Sequence, residues 1–108
     1  MSEPFVVYWA AVASRDLLGI IDYIAEERPE AAGELLKKIR VLAARLARSP
    51  ERGRLVPELQ AQGVARYREL LSAPWRIIYR VDGRRVYVLA VVDSRRNLED
   101  LLLARLIK

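Results

Sequence analysis

Three features of the chain predict an α+β fold: an Asp82-Gly83 turn between two β-prone runs, two amphipathic helical stretches joined at Arg28-Pro29, and further short β-prone runs flanking that helical pair. The expected order is an N-terminal strand, a helical hairpin, a three-stranded antiparallel meander and a short C-terminal helix. Its 108 residues make one domain, 1–108.

Phe5-Val6-Val7-Tyr8-Trp9 supplies the first strand, because β-branched and aromatic side chains fit a pleated surface. Leu17, Ile20, Ile21 and Ile24 then recur at helical spacing, which predicts a helix from about Val12 to Glu27. Arg28-Pro29 breaks it, since the residue before proline is pushed out of the α region, while proline is tolerated in the first turn of a new helix. That second helix runs from about Pro29 to Arg48, with Ala32, Leu35, Leu36, Ile39, Leu42 and Leu46 on one stripe, and ends at Ser49-Pro50. Pro50 to Gly63 is rich in turn formers, has no period and is read as loop.

Ala65 to Leu71 is the next strand, and Ser72-Ala73-Pro74 turns the chain into the Trp75–Ser94 hairpin. With a type I′ turn centred on Asp82-Gly83, Val81 faces Arg84, Tyr79 faces Val86, Ile77 faces Val88 and Trp75 faces Ala90. That side is apolar and suits the helical hairpin. The other side carries Arg76, Ile78 and Arg80 opposite Leu89, Tyr87 and Arg85. After the basic corner Ser94-Arg95-Arg96, Asn97 is the expected N-cap, with Asp100 three residues on, of a last helix through Ile107. Its apolar side is Leu98, Leu101, Leu102 and Leu106, the only expected cover for the second sheet face.

Composition narrows the chemistry. The chain has no Cys and no His, which excludes a disulfide framework, thiolate catalysis, a Ser-His-Asp triad and a histidine-based zinc site. No metal or cofactor is expected. No apolar run reaches membrane-spanning length and no signal pattern opens the chain, so the expected compartment is the cytoplasm. Nineteen Lys+Arg against fourteen Asp+Glu give a net charge of +5, which points to an acidic partner, either nucleic acid or an acidic protein surface. Arg66, Arg68, Arg76, Arg80, Arg85, Arg95 and Arg96 are expected to gather on the uncovered face and its rim. Guanidinium groups there hold phosphates or carboxylates, and Tyr87 among them stacks a base or anchors a peptide.

Ser49-Pro50-Glu51-Arg52-Gly53-Arg54-Leu55-Val56-Pro57-Glu58-Leu59, Tyr67-Arg68-Glu69-Leu70, Trp75-Arg76-Ile77-Ile78-Tyr79-Arg80-Val81 and the segment from Val86 to Arg96 resemble, in that order, the RelE/ParE superfamily of bacterial type II toxins. The resemblance extends over nearly the whole chain. It implies a cytoplasmic toxin wrapped by a small antitoxin, for the ParE-like branch a ribbon-helix-helix, ParD-like protein. RelE-like members cut messenger RNA on the ribosome without a metal, whereas ParE-like members block DNA gyrase by binding it.

Under the RelE-like alternative, Arg76 and Arg95 stabilise the reacting phosphate and Arg68 holds the RNA backbone. That chemistry also needs a proton acceptor and a proton donor. Where the superfamily often reads Val-x-His-x-Arg, this chain has Val92-Asp93-Ser94-Arg95, and Asn97, Leu98 and Leu101 stand where the enzymatic branch wants Tyr or His. The leading expectation is therefore a ParE-like gyrase inhibitor that is not an enzyme and does not by itself bind nucleic acid sequence-specifically. Its target contacts are Arg76, Arg80, Arg85, Arg95 and Arg96. The antitoxin is expected over Ile78, Tyr87 and Leu89 and the helix residues Leu98, Leu101 and Leu102, with its acidic residues meeting the arginine rim.

Overall fold

The computed structural model of the chain describes residues 3–95 and 98–106. Its strands are β1 (Val6–Trp9), β2 (Arg54–Leu55), β3 (Tyr67–Ser72), β4 (Trp75–Asp82) and β5 (Arg85–Asp93). Its helices are α1 (Ala11–Ala25), α2 (Pro29–Ala44), α3 (Pro57–Gln60) and α4 (Leu98–Leu106), and a 3₁₀ turn, Arg45–Ala47, closes α2. The sheet order is β1-β5-β4-β3-β2, so the expected meander forms its centre, the N-terminal strand lies at one edge, parallel to β5, and β2 lies at the other.

The helical hairpin forms where the periodicity places it. Pro29 occupies the start of α2, where its missing N–H has no helical partner to lose. From the two helices Ala13, Leu17, Ile39, Ala43 and Leu46 pack against Leu70, Ile77, Tyr79, Val86, Val88 and Val91 of the sheet. A Leu, Ile or Val fully removed from water here contributes roughly 1.5–3 kcal/mol, so this layer is the main source of stability. Strand alternation in β1 sends Val7 and Trp9 into the same core and leaves Val6 and Tyr8 on the opposite face.

The hairpin register differs from the one expected. Asp82 pairs with Arg85, Val81 with Val86, Arg80 with Tyr87 and Tyr79 with Val88, so Gly83-Arg84 is the two-residue loop. Gly83 has φ +60 and, among the described residues, no non-glycine residue has positive φ, which matches a type II′ turn with glycine in its first central position. A second difference follows at Leu89. Tyr79 pairs with Val88 but Ile78 with Ala90, an irregularity that leaves Leu89 as the extra residue of a β-bulge. Beyond it the alternation inverts: Val91 joins the helical core, and Ala90 and Val92 turn to the other face. Trp75 accordingly pairs with Asp93 rather than Ala90.

The stretch 50–63 is not all loop. Arg54 and Leu55 pair with Glu69 and Arg68, Val56 N–H donates to Tyr67 O at 3.0 Å, and α3 follows. Two residues of strand have no periodicity to detect; they exist because β3 is there to pair with them. Together α3 and α4 cover half of the second face, enclosing Val56, Leu59, Tyr67, Ile78, Ala90, Val92 and Leu98, with Leu89, Leu101 and Leu103 at the border.

The far end of α4 is tied across the sheet edge. Because β1 stops at Trp9, β5 needs another acceptor beyond Val88, and Asp16 of α1 accepts the Val91 N–H at 3.0 Å. The same carboxylate receives both Arg105 Nη atoms, at 2.6 and 2.9 Å. The hydrogen bonding to Asp16 holds the Arg105 guanidinium above its ordinary pKa. Arg96, Asn97 with its expected cap, and the side chain of Leu102 lie outside the described residues.

Candidate functional site

The second sheet face divides into two halves with different chemistry. In the covered half, Arg76 is only 5% exposed. Its Nε donates to Glu69 Oε1 at 2.7 Å, and its Nη1 and Nη2 donate to the two carboxylate oxygens of Glu58 at 2.7 and 2.8 Å. Glu69, also buried, spends its other oxygen on Arg54 Nε at 2.6 Å. Two carboxylates thus balance two guanidinium groups, the buried Arg76 and the more exposed Arg54, and every ion has a partner, the condition under which burying charge is tolerable.

This network fastens the 50–60 segment to the sheet. Tyr79, on the helical face, completes the fastening: its hydroxyl accepts the Gly53 N–H at 3.0 Å and donates to Pro50 O at 2.8 Å. Burial pushes the Tyr79 phenol above its ordinary pKa, so it stays a neutral donor. Arg68 points to the same side as Tyr79 and donates to Gly53 O at 2.8 Å. It is therefore not on the second face, where the pattern had placed it.

Glu58 supplies a pH dependence with a fixed sign. The hydrogen bonds from Arg76 hold its carboxyl below the ordinary carboxylate value. A carboxyl whose pKa is lower folded than unfolded stabilises fully above the unfolded value and loses that contribution as pH falls through the folded one. Urea midpoints of the wild type are expected to drop from about pH 4.5 downward, with the part due to Glu58 missing in Glu58→Gln.

The open half is a grid of side chains from three strands. Tyr8 lies beside Tyr87, and Tyr87 beside Arg80. The two tyrosine rings stack with centroids 5.6 Å apart and an interplanar angle of 21°, and the Arg80 guanidinium carbon sits 5.2 Å from the Tyr87 centroid. Val6 and Arg85 form the next row, with Asp82 paired to Arg85 on β4. Arg85 is fully exposed, and a hydrogen bond with Tyr87 raises its pKa. Val6 at 51% and Tyr8 at 44% are exposed beyond what an edge strand needs.

At the basic corner Arg95 is exposed and folds back onto Asp93, its Nη2 2.6 Å from Oδ2, an ion pair that raises the arginine pKa. Of the expected target contacts, Arg80 and Arg85 thus stand together, Arg95 stands apart at the corner, and Arg76 is withdrawn beneath α3. Of the expected antitoxin contacts, Tyr87 and Leu89 are half-exposed, Leu101 is partly buried, and Ile78 and Leu98 are core residues with no surface to offer. Among the described residues no group of three or more acidic side chains is placed to hold a metal ion.

Glu58, Glu69 and Tyr8 went unread as site residues. The signal for Glu69 was available: a carboxylate amid Arg66, Arg68 and apolar residues of a strand invites a buried partner.

The family described as the ParE toxin of type II toxin-antitoxin system, parDE, matches residues 7–98. The chain belongs to that family. Toxin RelE2 of Caulobacter vibrioides is 38% identical over 79 residues, covering 71% of this chain and 82% of that protein. Among solved structures, the chromosomal ParDE system from P. aeruginosa superposes with a TM-score of 0.69 at 24% identity, over 85% of this chain and 98% of that one. The toxin-antitoxin complex RelBE2 from Mycobacterium tuberculosis gives 0.59 at 23% identity, over 83% and 98%. These structural likenesses establish the shared α+β fold. The protein is thus a type II toxin of the RelE/ParE superfamily, whose relatives come from both branches. No helix among the described residues of this toxin is long and apolar enough to cross a membrane.

Proposed function

We propose that this toxin acts in the cytoplasm by binding and inhibiting DNA gyrase, is not an enzyme, and is neutralised by a ParD-like antitoxin of the ribbon-helix-helix kind. The observation that carries this reading is the state of Arg76. As the strand arginine of a ribonuclease it would have to present its guanidinium to a phosphate, yet all three of its nitrogens face Glu58 and Glu69. Bringing RNA there would mean breaking a buried pair and setting phosphate beside two carboxylates. The lack of His and the engagement of the Tyr79 hydroxyl with Pro50 add to it, because proton transfer lacks its usual carriers.

Target contact then falls to the exposed Arg85 and part-exposed Arg80 on the sheet and to Arg95 at the corner, with Arg96 added from the sequence alone. The RelE-like ribonuclease is the second reading, and the identity with Toxin RelE2 favours it. Under that reading Arg95 must leave Asp93 and Arg68 must leave Gly53 O to reach RNA.

A supercoiling assay with purified gyrase, run beside a translating extract, separates the two. Loss of supercoiling with intact transcripts is expected, and Arg80→Gln with Arg85→Gln and Arg95→Gln should weaken inhibition at least tenfold. Active gyrase under excess folded toxin, together with cut transcripts, would overturn the proposal.

A further inference from the structure

We propose that the outward face of α2, with the 3₁₀ turn that closes it, is a contact surface for the phosphate backbone of duplex DNA, bound without reading its sequence. The surface stands on its own geometry; only its use, as a second hold on an enzyme that carries DNA, rests on the gyrase reading above.

From Gly33 to Arg48 the charged residues are Glu34, Lys37, Lys38, Arg40, Arg45 and Arg48, all exposed, so five cations stand against one carboxylate. Among the described residues none of the five is in an ion pair, whereas Arg54, Arg76, Arg95 and Arg105 each hold a carboxylate. Lys37 with Arg40, and Arg45 with Arg48, are like-charged neighbours three residues apart, an arrangement that weakens a helix. Complementing the helix dipole accounts for cations at the C-terminal end, hence for Arg45 and Arg48, but not for Lys37, Lys38 and Arg40 within the helix. The carboxylates of the helical hairpin, Asp22, Glu26, Glu27 and Glu30, are exposed at its other end. The layer is therefore polarised, acidic at the hairpin turn and basic along the rest of α2.

Shape and spacing decide the class of ligand. Two grooves flank Val41, one lined by Gly33, Lys37, Arg40 and Ala44, the other by Lys37, Lys38, Leu42 and Arg45. Their floor is small and aliphatic, and the segment 29–48 contains no aromatic residue. Protein partners draw most of their binding energy from aromatic or arginine anchors seated in pockets, and single strands stack on aromatic faces. A membrane surface needs apolar side chains to insert, and Val41, at 41%, is the one large apolar side chain that α2 exposes among the described residues. A duplex backbone needs none of these, only cations spaced along a smooth ridge. From Lys37 to Arg48 the helix and its turn rise roughly 18 Å, about five phosphate steps of ~3.4 Å along one strand. The acidic end repels the same backbone and so fixes which part of α2 lies against it.

The test is the fluorescence anisotropy of a labelled duplex of about 20 base pairs, titrated with the full chain between about 50 and 200 mM salt. Five phosphate contacts predict a slope of log affinity against log salt of about −4.5, a loss of roughly 500-fold over that range. Lys37→Gln, Arg40→Gln and Arg45→Gln combined should reduce the slope to about −1.8. All three side chains are exposed and outside any ion pair among the described residues, so the urea midpoint is expected not to fall, which confirms that the variant is folded. Arg52→Gln with Arg66→Gln, two exposed cations outside α2, should leave the slope near its original value.

No binding at the lowest salt, or a slope that falls as far in the Arg52 and Arg66 variant as in the α2 variant, would overturn the assignment. Tighter binding of a polyglutamate chain of the same charge would replace DNA with an acidic protein, and tighter binding of phosphatidylserine vesicles would replace it with a membrane surface. The titration contains no gyrase, so an inactive toxin in the supercoiling assay leaves it standing, and a flat titration leaves the supercoiling assay untouched.

Discussion

Glu69→Ala is expected to destabilise the toxin by about 3–5 kcal/mol, read as a fall in the urea midpoint at unchanged slope. The carboxylate lies between Arg76 Nε at 2.7 Å and Arg54 Nε at 2.6 Å and is 1% exposed. Its removal leaves Arg76, itself 5% exposed, with Glu58 alone and with a dry void on its Nε side. A buried cation whose Nε has lost its acceptor, and which keeps only the Glu58 side of its partners, is the expensive outcome, whereas replacing both charges together is much less so. Glu69→Met combined with Arg76→Met should therefore recover a good part of the loss. A double variant as unstable as the single one would mean that the network itself, rather than the orphaned cation, carries the stability.

Gly53→Ala is the second large effect, expected near or above the upper end of the roughly 1–3 kcal/mol usual for overpacking. A Cβ at this position would lie 2.5 Å from the Glu69 carbonyl oxygen, 2.7 Å from the Tyr79 hydroxyl and 2.9 Å from the Tyr79 ring. None of these can swing aside cheaply, because the first is strand backbone and the ring belongs to a side chain with no exposure. The segment would have to lift, loosening the Tyr79 bond to Gly53 N–H and the Glu58 clamp on Arg76. Faster proteolysis within 50–60 should accompany the stability loss. A variant with wild-type midpoint and wild-type cleavage would contradict this account of why the residue is glycine.

These two substitutions bracket the boundary of what the sequence reveals. The helical hairpin was legible because Leu17, Ile20 and Ile21, then Ala32, Leu36 and Ile39, repeat with helical period. The Trp75–Ser94 ribbon was legible from β-branched runs around a glycine turn. Its register was not, because Gly83 serves equally in either turn type, and the choice came from pairing along the whole ribbon. The Leu89 bulge was invisible for a related reason. In a strand apolar on both faces, Val88-Leu89-Ala90-Val91-Val92 has no alternation to mark an inserted residue.

The candidate site divides in the same way. That arginines cluster on one strand pair could be read directly, and so could the missing acid and base. That Arg76 is neutralised beneath α3, while Arg80 and Arg85 stay outside, could not. Glu69 reaches Arg76 from 7 residues away across the β3–β4 pairing, and Glu58 reaches it from 18 residues away once β2 docks on β3. Local sequence determined which segments become helix or strand and which side chains carry charge, since those follow from period and composition. The tertiary structure decided which arginines are available, because availability depends on carboxylates and covering helices that only long-range packing brings into place.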